Sequence, residues 1–311
     1  MEISRDYISG WLKNLQDSIC LALEGADCKS KFEEDNWLRP EGGGGRTRII
    51  KNGNVIEKGG VLFSAVHGPA PDFLFKEQEH AVSVLKQNAA RPNFFATGLS
   101  IVIHPQNPMV PIIHMNIRYF EMDNGVKWLG GGIDLTPHYI NEDDAKYFHH
   151  ELKKVCDIHH SNYYLKFKKW ADDYFFITHR KETRGVGGIF FDKLNEDLEM
   201  SFENNFNFWK AIGEVFAPTY IKLIEKNKSK TYTEQNKQWQ LLRRGRYVEF
   251  NLVYDKGTKF GLETNGRVES ILMSLPKLAG WEYDYKPEKN SEEEKTLNLL
   301  RKDIDWVNKP V

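Results

Sequence analysis

Residues 99–134 read LSIVIHPQNPMVPIIHMNIRYFEMDNGVKWLGGGID, and this stretch decides the fold. Side chains alternate between faces along a strand. From Leu99 to His104, one face carries Leu99, Ile101 and Ile103, and the other carries Ser100 and His104. Farther on, Ile113, Met115, Ile117 and Tyr119 share a face, with His114, Asn116 and Arg118 opposite. Prolines stiffen the short loop from Pro105 to Pro111. Asp123-Asn124-Gly125 is a strong hairpin turn. A third strand follows and ends in Gly130-Gly131-Gly132-Ile133-Asp134. The pattern predicts antiparallel strands with one apolar face and one polar face. Contact with water is the plainer reading of that polar face. It accounts for Ser100 and Asn116 better than for two histidines and an arginine converging on a triglycine and an aspartate.

Outside this stretch the periodicity changes. Ile8, Trp11, Leu12, Leu15 and Ile19 mark one face of an opening helix, with Ser4 as its cap. A strand is expected from Gly60 to Val66. Helices are expected around 142–156, 196–226 and 232–242. Strands are then expected at 247–254 and 259–264, joined by a turn at Asp255-Lys256-Gly257. Ser291 and Glu294 suggest a capping box on a terminal helix. Hairpin-linked strands with helices outside them indicate an α+β fold around an antiparallel sheet. No linker or repeat divides the 311 residues, so one domain spanning 1–311 is expected.

Composition narrows the function. A formal net charge of -1 gives no basic field for nucleic acid or an anionic membrane. Three cysteines without a CxxC pair suit a reducing compartment. The polar first residues do not resemble a signal peptide, and no apolar run is long enough to span a bilayer. A soluble cytoplasmic protein is expected. No P-loop, GxGxxG or GxSxG motif is present, which disfavours nucleotide, flavin and serine-hydrolase chemistry.

The candidate chemistry lies in arginines and histidines. Of 13 arginines, nine fall in a few short segments, most of them beside glycine or on an alternating strand. These include Arg46 and Arg48 after the tetraglycine 42–45, Arg118, Arg180 and Arg184, Arg243 to Arg246, and Arg267. Arginine grips carboxylates through paired hydrogen bonds. A multiply anionic small molecule is the expected ligand, and surface ion pairing is the plainer alternative. The tetraglycine amides are a further candidate for holding an anion. Between Lys169 and Asp192 an aromatic segment delivers His179, Arg180 and Arg184 to the glycine-rich turn 185–188. His104, His114, His149 and His179 are either core residues or ligands of a divalent metal; no HExxH spacing decides between them.

These strings together resemble the oxygen-dependent coproporphyrinogen III oxidases of haem biosynthesis. The resemblance covers nearly the whole chain. It rests on the Lys169–Asp192 run, Gly-Gly-Gly-Gly-Arg at 42–46, Gly-Gly-Gly-Ile-Asp-Leu-Thr-Pro at 130–137, Arg-Arg-Gly-Arg-Tyr-Val-Glu-Phe-Asn-Leu at 243–252 and Glu269 to Pro276. One departure is Ala171, where the family usually has cysteine. The resemblance implies a large flat antiparallel sheet covered by helices on both faces, with an active-site cleft between the layers. It implies oxidative decarboxylation of the ring A and B propionates of coproporphyrinogen III to vinyl groups. Dioxygen is then the co-substrate, and no organic cofactor is needed. His114, Asp134 and Arg118 would be catalytic. Ser100, Asn116, Ile117, Arg118, Arg184, Asp255, Asn265, Gly266 and Arg267 would contact substrate. Some members are described as using a divalent cation at histidines matching His104, His114, His149 and His179. A homodimer through region 247–285 is also implied.

Overall fold

The computed structural model describes residues 3–70, 92–197, 200–263 and 266–308, apart from the side chain of Phe260. Among the described residues seven strands form one antiparallel sheet in the order β1-β2-β3-β4-β5-β6-β9. They are β1 (Glu33–Leu38), β2 (Gly43–Lys51), β3 (Ile56–Pro69), β4 (Asn93–Pro105), β5 (Ile112–Met122), β6 (Lys127–Thr136) and β9 (Gly187–Leu194). A small pair, β7 (Phe176–Ile177) and β8 (Glu182–Thr183), stands apart. The helices are α1 (Arg5–Asp27), α2 (Glu142–His159), α3 (Tyr163–Tyr174), α4 (Phe202–Asn227), α5 (Glu234–Val253), α6 (Lys256–Glu263), α7 (Val268–Leu272) and α8 (Glu292–Leu299). The fold is α+β, as the periodicities predict.

The predicted alternation along β4 and β5 is present. Leu99, Ile101, Ile103, Ile113, Met115 and Ile117 are buried in the main core. They pack with Leu12 and Leu15 of α1, Phe148 and Leu152 of α2, and Trp209, Ile212 and Phe216 of α4. Each such side chain contributes about 1.5–3 kcal/mol of transfer free energy, so this face is fully committed to stability. Ser4 caps α1 by accepting from the Tyr7 amide at 3.2 Å. Asn141 caps α2 by accepting from the Asp144 amide at 3.0 Å. At α8, Ser291 accepts from the Glu294 amide, but Glu294 returns to the Asn290 amide rather than to that of Ser291.

The opposite face is only partly covered. Tyr247 of α5 and Met273 pack on Leu62, Val102 and Ile112. Phe250 of α5 packs with Ala171, Phe175 and Ile177, with Phe190 of β9 against them. Ser100, His114, Asn116 and Arg118 stay half-buried between these patches.

Two expectations need correction here. Residues 247–253 and 259–263 are helical, not strands, and Thr264 lies outside the described residues. Aromatic residues raised their strand propensity. The buried set Arg243, Arg244, Tyr247, Phe250 and Asn251 nonetheless recurs at spacings of three and four, and α5 runs unbroken to Val253. The tetraglycine is not an anion cradle. Gly44 and Gly45 pair with Leu38 and Trp37 of β1, and Gly42 and Gly43 turn that hairpin at φ 127 and 83.

Candidate active site

The polar face forms a grid of cross-strand rows. His114 of β5 lies opposite Asp134 of β6 and Val102 of β4. The next row holds Ser100, Asn116 and Gly132, and the one after it Gly98, Arg118 and Gly130. Arg118 is thus about 13 Å along the strand from His114, at ~3.4 Å per residue. The triglycine keeps this floor free of side chains where β6 passes beside Asn116 and Arg118.

Asp134 anchors the site. His114 Nδ1 lies 2.7 Å from Asp134 Oδ1. Arg184 Nη2 donates to Asp134 Oδ1 at 2.8 Å and Oδ2 at 2.7 Å. The Asp134 and Arg184 side chains are both 2% exposed. Burial alone would raise the Asp134 pKa, but Arg184 and His114 outweigh it and hold the carboxyl below its usual range. Asp134 is therefore an ionised acceptor. Nδ1 of His114 carries the hydrogen between them, and Nε2 lies on the other side of the ring.

Arg184 is fixed from several sides. Its Nη1 donates to Asn251 Oδ1 at 2.8 Å. Its guanidinium lies 4.4 Å from the Phe175 ring centroid and 4.7 Å from those of Tyr247 and Phe250. Cation–π contact offsets part of the cost of burying the charge. The glycine-rich turn makes this possible. Gly187 has φ 77, a left-handed bend where β9 begins just after Arg184.

Arg118 pairs with Asp192 of β9 at 2.8 Å and donates to Asn116 Oδ1 at 3.1 Å. Arg267 ion-pairs with Asp35 and lies within 3.5 Å of Thr47 Oγ1. Thr47 faces Leu62, and Leu62 faces Ser100. Arg267 thus flanks the Ser100–Asn116 row about two strand spacings, or ~10 Å, away.

Not every expected residue joins this face. Ile117 is buried in the main core, on the other side of the sheet. Asp255 lies within electrostatic reach of Arg184 but is engaged in capping α6: its Oδ2 accepts from the Thr258 amide at 2.7 Å, and its Oδ1 from the Tyr174 hydroxyl at 2.8 Å. Gly266 donates its amide to the Gly261 carbonyl at 2.8 Å, and Asn265 lies outside the described residues. Most of the clustered arginines are structural. Arg46 and Arg48 pair with Asp17 of α1, Arg180 with Glu249, Arg243 with Glu182 and Arg244 with Glu57.

The four histidines do not form a metal set. His149 packs with Tyr164 and Trp306 in the main core layer. Its Nε2 donates to the Val186 carbonyl and its Nδ1 bonds the Tyr164 hydroxyl, leaving no lone pair for a metal. His179 lies at an exposed turn, held by Glu249 and Tyr254. His104 is fully buried and donates Nε2 to the Ser274 carbonyl at 2.8 Å. Among the described residues no three His, Cys, Asp or Glu side chains gather where one ion would fit.

Asn251, Phe175, Tyr247, Phe250 and Asp192 escaped the sequence reading. Tyr247, Phe250 and Asn251 share one face of α5, a signal lost when that segment is read as a strand.

An antiparallel sheet walled by helices, with an imidazole, a carboxylate and a guanidinium joined on its open face, defines an α+β enzyme. Comparison with known proteins makes this specific. The family model described as Coproporphyrinogen III oxidase matches residues 7–306. An oxygen-dependent coproporphyrinogen-III oxidase of Drosophila melanogaster is 50% identical over 302 residues, covering 95% of this chain and 76% of the relative. One of Prochlorococcus marinus (strain MIT 9312) is 46% identical over 327 residues, covering 98% and 93%. The chloroplastic coproporphyrinogen-III oxidase 1 of Arabidopsis thaliana is 48% identical over 305 residues, covering 95% and 78%. The chain belongs to the coproporphyrinogen III oxidase family.

Proposed function

We propose that this protein decarboxylates the ring A and B propionates of coproporphyrinogen III with dioxygen, giving protoporphyrinogen IX. The ionised Asp134, buried against Arg184 and bonded to His114 on an otherwise open sheet face, carries this reading. Each step converts a propionate, one dioxygen and one proton into a vinyl group, carbon dioxide and hydrogen peroxide. Two electrons pass from the side chain and electron-rich ring to oxygen, so the substrate supplies the reducing power and no organic cofactor is required. Asp134, its oxygens accepting from Arg184 and His114, stabilises positive charge developing on the ring beside it. Arg118 holds the reacting propionate, and His114 Nε2 exchanges a proton. Ser100, Asn116 and Arg267 line the approach and meet the remaining polar periphery.

The whole chain acts as one domain in this reading. Exposed apolar residues in region 247–285, among them Leu252, Val253, Leu278, Trp281 and Tyr283, support a homodimer contact there. Three free cysteines favour a reducing compartment, in the simplest case the cytoplasm. Among the described residues no helix is long and apolar enough to cross a membrane.

Aerobic and anaerobic incubation with coproporphyrinogen III, each with and without chelator, tests the activity. Oxygen-dependent release of carbon dioxide with vinyl product is expected. Release without oxygen would point to a histidine-site metalloenzyme. Tight binding without release would point to a tetrapyrrole carrier.

A further inference from the structure

We propose that Asp192 is a positioning residue for Arg118, holding its guanidinium across Gly130 so that its remaining N–H groups meet a substrate carboxylate. The inference rests on the reading of Arg118 as the propionate holder. Asp192 lies on β9 and Arg118 on β5, with β6 between them. The two side chains meet above Gly130, where Arg118 Nη2 is 2.8 Å from Asp192 Oδ1. A Cβ on Gly130 would lie 2.7 Å from Asp192 Oδ1, 2.9 Å from Arg118 Nε and 3.0 Å from Arg118 Cζ. Only glycine leaves room for this bridge, which gives the first glycine of 130–132 a spatial role.

Asn116 supplies the second anchor, since its Oδ1 accepts from Arg118 Nη1 at 3.1 Å. Two acceptors on different strands fix both the place and the plane of the guanidinium. The Arg118 and Asp192 side chains are 39% and 30% exposed. Ion pairs so open to water are weak, so Asp192 orients Arg118 without adding much to stability. Arginine has five N–H donors, more than Asp192 and Asn116 occupy. Asp192 thus aims Arg118 without blocking it. Neutralising Asp192 removes the aim and leaves the positive charge uncompensated. Anion binding then holds or tightens, while the reacting propionate is misplaced, and a misplacement of about 1 Å costs roughly a hundredfold in rate.

The test is steady-state kinetics of Asp192→Asn and Gly130→Ala beside wild type, with coproporphyrinogen III and oxygen. Thermal unfolding checks that each variant is folded. Inhibition by coproporphyrin III, a tetracarboxylate that is not turned over, reports binding alone. A fall in kcat of about ten- to a hundredfold is expected in both variants, with KM and the inhibition constant unchanged or lower. Asp192→Glu, which restores the charge, recovers part of the kcat and stands in if Asp192→Asn does not fold. Wild-type kcat in folded Asp192→Asn overturns the proposal alone, and so does a raised KM with kcat intact. Failure of wild type to release carbon dioxide overturns the activity reading and this inference with it.

Discussion

Arg184 Nη2 reaches both carboxylate oxygens of Asp134, at 2.8 and 2.7 Å, and water is excluded from the pair. Each charge is therefore a condition for burying the other. Removing one partner from a buried pair typically costs about 3–5 kcal/mol. Arg184→Ala is expected to destabilise the protein by about that much in urea unfolding, and Asp134→Ala similarly. Asp134→Asn keeps the shape and an acceptor oxygen, so it is expected to lose less. An Arg184→Ala variant as stable as wild type would show that the pair is not buried in solution.

His114 occupies a different position energetically. Its side chain is 21% exposed and is held by the bond to Asp134. His114→Gln is expected to fold normally and to lose kcat by about 10²–10⁴, the usual contribution of a general acid or base. A folded His114→Gln enzyme with wild-type kcat would assign the proton transfer to another group.

His104 and His149 set a pH limit on stability. Burial pushes both down to about 3, against hydrogen bonds to carbonyls that favour the charged form. The folded state holds them neutral, whereas the unfolded chain protonates near 6.5. Below pH 6.5 the unfolded state binds more protons. Stability is therefore full above 6.5 and falls with pH, by about 1.4 kcal/mol per pH unit for each histidine, until pH nears 3. Urea midpoints between pH 7 and pH 4 measure this. His149→Phe is expected to be less stable at pH 7 by about 1–3 kcal/mol, through the stranded Tyr164 and Val186 partners. It is also expected to show a shallower acid slope. An unchanged slope would place the titration elsewhere.

The histidine geometry also bears on metal. A shared ion needs free lone pairs that converge, and His149 and His179 have both ring nitrogens engaged. Added EDTA is expected to leave the unfolding temperature within about 1 °C. A shift of several degrees, reversed by one equivalent of a divalent cation, would show that these rings rearrange around an ion.

What the sequence makes legible follows from how local the signal is. The Leu99–Asp134 hairpins show a clean period of two because one face is committed to the core and the other to the site. Alternation alone therefore puts Ser100, His114, Asn116 and Arg118 on one face, and the strand register sets Asp134 beside them. Arg184 stands out through the glycines that follow it. Ile117 is misplaced for the opposite reason: the parity that puts Asn116 and Arg118 in the site puts Ile117 in the core. The helical identity of 247–253 is hidden because the buried face of α5 includes Arg243, Arg244 and Asn251, which do not read as an apolar stripe. Those polar residues are buried only because Glu182, Glu57 and Arg184 meet them from distant segments. Asp192 is invisible as a site residue because its partner lies two strands away.

The central claim is that the buried Asp134 carboxylate stabilises the charge of a tetrapyrrole bound on this sheet face. The direct measurement is carbon dioxide release from coproporphyrinogen III under oxygen by Asp134→Asn, with folding verified and binding measured separately. Loss of one preorganised charge-stabilising group typically lowers turnover by about 10²–10³. The account predicts a loss at least that large with the ligand still bound. A folded Asp134→Asn enzyme that turns over within a few-fold of wild type would contradict it.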